Sequence, residues 1–144
     1  MIVRSCATFT ADLPDDHIED EEGVEIIQFG GKSVAEAISE ILTQLGCVVD
    51  RLRYAHEHGW ELDIKCGKRR LWCQVTFMDF YVIHFEDISW VNQLLGRHHP
   101  LYLDTLTRLA QELGRDPRFH DVLWFLRDEA LTGVAGSKAP ISAS

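Results

Sequence analysis

The spacing of apolar residues along the chain changes twice, and each change marks a change of element. Val34, Ala37, Ile38, Ile41, Leu42 and Leu45 recur three and four apart, which places them on one face of an α-helix. Ser33 stands before this run with Glu36 three residues on, the spacing of a capping box, and Gly46 ends it. From Val48 to Glu86 the period falls to two. Val48, Leu52 and Tyr54 alternate with Val49, Arg51 and Arg53, and Trp60, Leu62, Ile64 and Cys66 alternate with Glu61, Asp63 and Lys65. Leu71, Cys73, Val75 and Phe77 then oppose Trp72, Gln74 and Thr76, and Tyr81, Ile83 and Phe85 oppose Val82 and His84. Each run reads as a strand with one face toward a core. The turns between the last three runs, at Gly67-Lys68-Arg69-Arg70 and near Asp79, are too short for a parallel crossover, as is the turn at His58-Gly59. The four strands therefore form an antiparallel meander.

Upstream, Ile2–Phe9 predicts a first strand and Val24–Phe29 a second, short one. Downstream, the helical spacing returns. Ser89–Leu95 predicts a short helix ended by Gly96. Pro100 opens a longer one with Leu103, Leu106, Leu109, Ala110 and Leu113 on its face and Gly114 as its cap. Asp116-Pro117 opens a third, with the stripe Phe119, Val122, Leu123, Leu126 and Ala130. From Gly133 the composition turns to Gly, Ser, Ala and Pro, which predicts a disordered tail. The expectation is a single α+β domain over residues 1–132, with a tail over 133–144. Its architecture is a mainly antiparallel meander of about four to six strands, one helix in the N-terminal half, and two to three C-terminal helices packed on one sheet face.

A chain of 144 residues can bury a real core without metal or disulfide staples. Its net charge of −9 changes the picture because of where it sits. Asp12, Asp15, Asp16, Glu19, Asp20, Glu21, Glu22 and Glu25 fall in one stretch without Lys or Arg, and the rest of the chain is close to neutral. A chain so charged lacks the basic face that neutralises phosphates, which excludes nucleic acid as the main partner. No basic N-terminal region leads into an apolar run, and no apolar stretch approaches the roughly 18 residues of a membrane span. Cys6, Cys47, Cys66 and Cys73 form no C-x-x-C pair. They read as buried thiols of a reducing compartment, so the expected localisation is cytoplasmic.

Candidate chemistry is sparse. Gly31-Lys32-Ser33 before a helix resembles the end of a phosphate-binding loop, but the pattern G-x-x-x-x-G-K-[ST] requires glycine at position 26, which is Ile26. His56-Glu57-His58, with His84 elsewhere, offers imidazoles for zinc or for a small enzyme, yet lacks the closely spaced cysteines that structural zinc usually takes. No nucleophile elbow and no H-E-x-x-H is present. The cysteines fall on core faces, where thiols are inert. No catalytic residue, metal or cofactor is therefore assigned.

Two surfaces point instead to a partner protein. One is the acidic stretch, represented by Asp15, Asp16, Glu19, Asp20, Glu21 and Glu22, which would steer a basic partner. The other is the outward sheet face, with Glu61, Asp63, Trp72 and His84, where an exposed Trp among polar residues would anchor an interface. In size and acidity the chain resembles, as a type, the small bacterial immunity proteins that plug the basic active site of one toxin or effector. The resemblance implies inhibition by charge and shape. It rests on no shared motif and transfers no site residue. A second reading is a secretion-type chaperone for a client protein, which would be a homodimer with a long exposed apolar groove, but four consecutive strands before the C-terminal helices do not match the element order of that type.

Overall fold

The computed structural model describes residues 1–89 and 98–143. In chain order its elements are β1 (Ile2–Val3), β2 (Cys6–Ala11), β3 (Ile18–Glu19), β4 (Ile26–Gln28), α1 (Lys32–Gln44), β5 (Val48–Tyr54), a 3-10 turn (His56–His58), β6 (Trp60–Cys66), β7 (Arg69–Phe77), β8 (Tyr81–Asp87), α2 (Pro100–Arg115), β9 (Phe119–Phe125) and β10 (Ile141–Ser142). Six strands make one antiparallel sheet in the order β5-β6-β7-β8-β2-β9. The meander expected from residues 48–86 supplies four of them, and the N-terminal β2 slots in beside β8.

Both helices lie on one face of this sheet, α1 over β5, β6 and β7 and α2 over β7, β8 and β9. The inward side chains are those that the period-two pattern selects. Leu62, Ile64, Leu71, Cys73, Val75, Ile83 and Phe85 are buried against Val34, Ile38 and Leu42 of α1 and Leu106, Leu109 and Leu113 of α2. Tyr102 fastens α2 to the sheet by donating its hydroxyl to the Phe85 carbonyl at 2.6 Å. The sheet is thus covered by helices on one side, as half-apolar strands require.

Several expectations fail, each for a physical reason. The third C-terminal helix is β9, so the described fold has two helices. Phe119, Val122, Leu123, Trp124 and Phe125 flank His120 and Asp121, and in a segment of seven residues that spacing fits either period. Pairing with β2 decides the matter, because β2 would otherwise be an open edge. Asp116, expected to cap that helix, ends α2 instead and holds Arg118 through paired hydrogen bonds. These bonds hold the Asp116 carboxyl below its usual range. The short helix expected over Ser89–Leu95 lies, from residue 90 on, outside the described residues.

The tail expected to be disordered is paired to the body at Ser137 and at Ile141–Ser142. Ser137 exchanges backbone hydrogen bonds with Trp124, and β10 pairs with β1. Its small residues serve close approach: a Cβ on Gly136 would lie 2.8 Å from the Leu123 Cβ and 2.7 Å from the Phe125 ring. Composition registers small residues but not the surface they press against. In β5 the inward set also differs. A bulge between Val49 and Arg51 shifts the register, so Val48 is exposed and Val49 packs on the core.

The capping box does not form. Ser33 is the second residue of α1, preceded by Gly31 and Lys32. Its backbone N–H and its hydroxyl both donate to the carboxylate of Asp16, at 2.6 and 3.0 Å. A carboxylate from the acidic stretch therefore occupies the helix N-terminus, where both the exposed N–H groups and the dipole favour negative charge. That contact fixes the acidic stretch to the body, and it fills the position that an anion bound at Gly31-Lys32-Ser33 would need.

Candidate functional site

The acidic stretch is a built hairpin. Asp12 pairs with His120 at 2.6 Å, Asp15 accepts from the His17 backbone N–H, and Asp16 caps α1. Beyond these anchors β3 and β4 pair, with a turn closed by Gly23 N–H to the Asp20 carbonyl and by Val24 N–H to the Asp20 side chain. At the other end Phe29 N–H donates to the Tyr54 hydroxyl, and the Trp60 indole donates to the Phe29 carbonyl. Two strands this short cannot bury their own side chains. Ile18 is 47 % exposed, Val24 77 %, Ile26 44 % and Ile27 62 %. Glu19, Glu21, Glu22 and Glu25 stand exposed between them. The hairpin therefore presents apolar area and negative charge on the same protrusion.

The outward sheet face is a second surface, set by register. Arg53, Glu61, Gln74, His84, Cys6 and Phe125 lie opposite one another across all six strands, and Asp63, Trp72 and Glu86 lie side by side in the next row. Glu61 accepts from Arg53 at 3.3 Å and from the Trp72 indole at 3.1 Å, and Arg53 also bonds Asp63. Ser5 donates to Glu86 at 2.8 Å. Glu61, Asp63 and Trp72 thus form one network with Arg53 at its centre. Arg53 answers part of the charge of the two carboxylates within the face, and Trp72 is half-buried rather than free. Between 126 and 137 the chain folds over the β2 and β9 end of this face, where Cys6, Val82 and Phe125 make a small second core with Leu123 and Ala130.

The structure does not bring the two surfaces together. Asp15, Asp16, Glu19, Asp20, Glu21 and Glu22 belong to a hairpin anchored at the start of α1, on the helix side of the sheet. Glu61, Asp63, Trp72 and His84 face away from the helices. Sequence reasoning missed Arg53 as the hub of the outer network and missed the exposed isoleucines. The signal for the latter was present: Ile26-Ile27 is an apolar pair within a stretch too short and too charged to bury it.

Cys6 also departs from expectation. Cys47, Cys66 and Cys73 do face the core, but Cys6 lies on the outer face with its Sγ 3.9 Å from His84 Nε2. This resembles a nucleophile with its base, but the environment opposes that chemistry. Cys6 is fully buried, and burial, aided by the Glu86 charge, pushes its thiol up to about 12. A thiol so held supplies very little thiolate near neutral pH, too little for a catalytic nucleophile. His56 and His58 sit exposed on the 3-10 turn. Among the described residues no group of three or more His, Cys, Asp or Glu gathers as a metal would require. No described helix is long and apolar enough to cross a membrane.

Burial lowers the affinity of His84 for a proton, and the Arg127 charge adds to this against the opposing Glu86. The unfolded chain therefore binds that proton more readily than the folded one. The contribution of His84 to stability is complete above the ordinary histidine value of about 6.5 and is lost as the pH falls through it toward the folded value. Urea midpoints should thus fall more between pH 7.5 and 5.5 for the native chain than for His84→Gln. Equal falls would show that another group governs the acid limb.

Compared with protein-family models, with curated proteins and with solved structures, the chain matches none.

Proposed function

We propose that this chain is a small acidic protein-binding protein that acts on a basic partner protein, as an immunity-type inhibitor acts on its toxin or effector. The observation that supports this most is the β3–β4 hairpin, where Ile18, Val24, Ile26 and Ile27 are exposed among Glu19, Glu21, Glu22 and Glu25. Exposed apolar side chains give an interface its burial, and a surrounding field of one sign selects the partner and speeds the encounter. In this reading the hairpin is the contact, and the outer face around Trp72, with its charges partly paired within the face, has the lesser part. Asp16 belongs to the support rather than to the contact, because its carboxylate is committed to α1.

The test uses the product of the adjacent reading frame, purified with this chain after co-expression. Two variant sets separate charge from apolar contact: Glu19→Gln, Glu21→Gln, Glu22→Gln and Glu25→Gln in one, Ile26→Ser and Ile27→Ser in the other. Each set should weaken binding at least about tenfold, the loss expected when interface contacts worth about 1.4 kcal/mol or more are removed. The first set should also flatten the dependence on salt, with both sets melting as the native chain does. Unaltered affinity in both sets would remove the hairpin from the interface. A complex indifferent to salt would remove charge steering.

A further inference from the structure

Cys47 stands between the end of α1 and the start of β5, and Cys66 is the last residue of β6. Val48 lies opposite Lys65 in the antiparallel pair. One further step of the same register sets Cys47 opposite Cys66. The side chains meet there: the two Sγ atoms are 2.7 Å apart, sharing a thiol hydrogen bond. Thr105 of α2 closes over them with its hydroxyl 3.4 Å from the Cys66 sulfur. Directly opposed residues have Cα atoms about 4.5–5.5 Å apart, inside the range of about 4.4–6.8 Å that a disulfide spans. The other two cysteines have no such relation. Cys6 is on β2 and Cys73 on β7, with β8 between them, and they point to opposite faces.

We propose that Cys47 and Cys66 are an oxidative modification site, a cross-strand dithiol that closes to an intramolecular disulfide on reaction with a low-molecular-weight disulfide such as oxidised glutathione. One cysteine gives up its proton and attacks a sulfur of the reagent. A protein–reagent disulfide forms, and one reagent thiol leaves. The second cysteine, deprotonated in turn, attacks the protein sulfur of that bond, forms the Cys47–Cys66 disulfide and expels the second reagent thiol. The protein loses two electrons and two protons, and one reagent disulfide becomes two thiols. Burial, with the hydrogen bond from Cys66, holds the Cys47 thiol up to about 12, so closure is slow in the folded chain. The bond would tie β5, at one end of the strand order, to β6 at the point where α1 hands over to the sheet.

The experiment equilibrates the folded, full-length chain with oxidised and reduced glutathione, quenches with acid, unfolds it and alkylates the remaining thiols. Reduced protein should take up four labels, one for each free cysteine. Oxidised protein should keep labels at Cys6 and Cys73 only, with a peptide linking Cys47 to Cys66. Its thermal midpoint should rise by about 5–10 °C, as expected of a cross-link closing a loop of this size. Cys47→Ser and Cys66→Ser should each abolish both the link and the rise. Should either variant fail to fold, the native chain alone decides by its linked peptide. Four labels retained under the most oxidising glutathione ratio would overturn the proposal. So would a link that forms only in denaturant, or one that joins any other pair.

Discussion

Gly59→Ala should destabilise the fold by about 3–5 kcal/mol, a loss read directly as a fall in the urea midpoint. Gly59 joins the 3-10 turn to β6 at φ +88°, ψ −118°, a backbone conformation that side chains rarely permit. Space compounds the strain. A Cβ at this position would sit 2.1 Å from the carbonyl oxygen of Val75, a backbone atom within the central strand β7. Neither partner can yield cheaply, because Gly59 N–H and carbonyl close the turn through His56 and Ala55. Thr76 also donates its hydroxyl to the His58 carbonyl across the same gap. Any relief would have to move the start of β6. If Gly59→Ala instead unfolds within about 1 kcal/mol of the native chain, the close approach of turn and strand is wrong.

Asp87→Ala should cost a similar amount, about 3–5 kcal/mol, for an electrostatic reason. The Asp87 side chain is 1 % exposed and accepts two hydrogen bonds from Arg69, at 3.1 and 2.6 Å, and one from the Ser89 backbone at 3.0 Å. Arg69 is itself buried at the first position of β7. Removing the carboxylate strands a guanidinium where water reaches it poorly. The paired change Arg69→Met with Asp87→Leu tests that cause, because it removes both charges and leaves apolar side chains in their place. It should recover most of the loss. A double variant as unstable as Asp87→Ala alone would assign the cost to packing.

How far the sequence could be read follows from the range of the forces involved. The meander was legible because its period-two pattern over residues 60–85 is dictated by one buried face, and its turns are local. The face of α1 was legible for the same reason. What failed depended on residues distant in sequence. The helix start looked self-capped by Ser33 and Glu36, yet its cap is Asp16, 17 residues upstream. Phe119–Phe125 looked helical because its apolar residues satisfy both periods, and only the edge of β2 makes it a strand. Of the candidate site, the acidic stretch was visible as composition, but its hairpin and exposed isoleucines were not. Glu61, Asp63 and Trp72 were correctly placed on one face. That Arg53 bonds both carboxylates depends on a register that the bulge in β5 adjusts.

The position of β9 has a consequence for the order in which the molecule comes into being. Ribosomal synthesis delivers β2 first and its outer neighbour β9 more than a hundred residues later. Until then β2 has either no neighbour or, once β8 arrives, a neighbour on one side only, and Phe125 is not yet there to shelter Cys6 and Val82. The nascent chain must therefore carry an unpaired strand and an uncovered apolar patch through most of its translation, the condition in which chaperone capture and aggregation compete with productive folding. Truncation anywhere before Phe125 would make that transient vulnerability permanent.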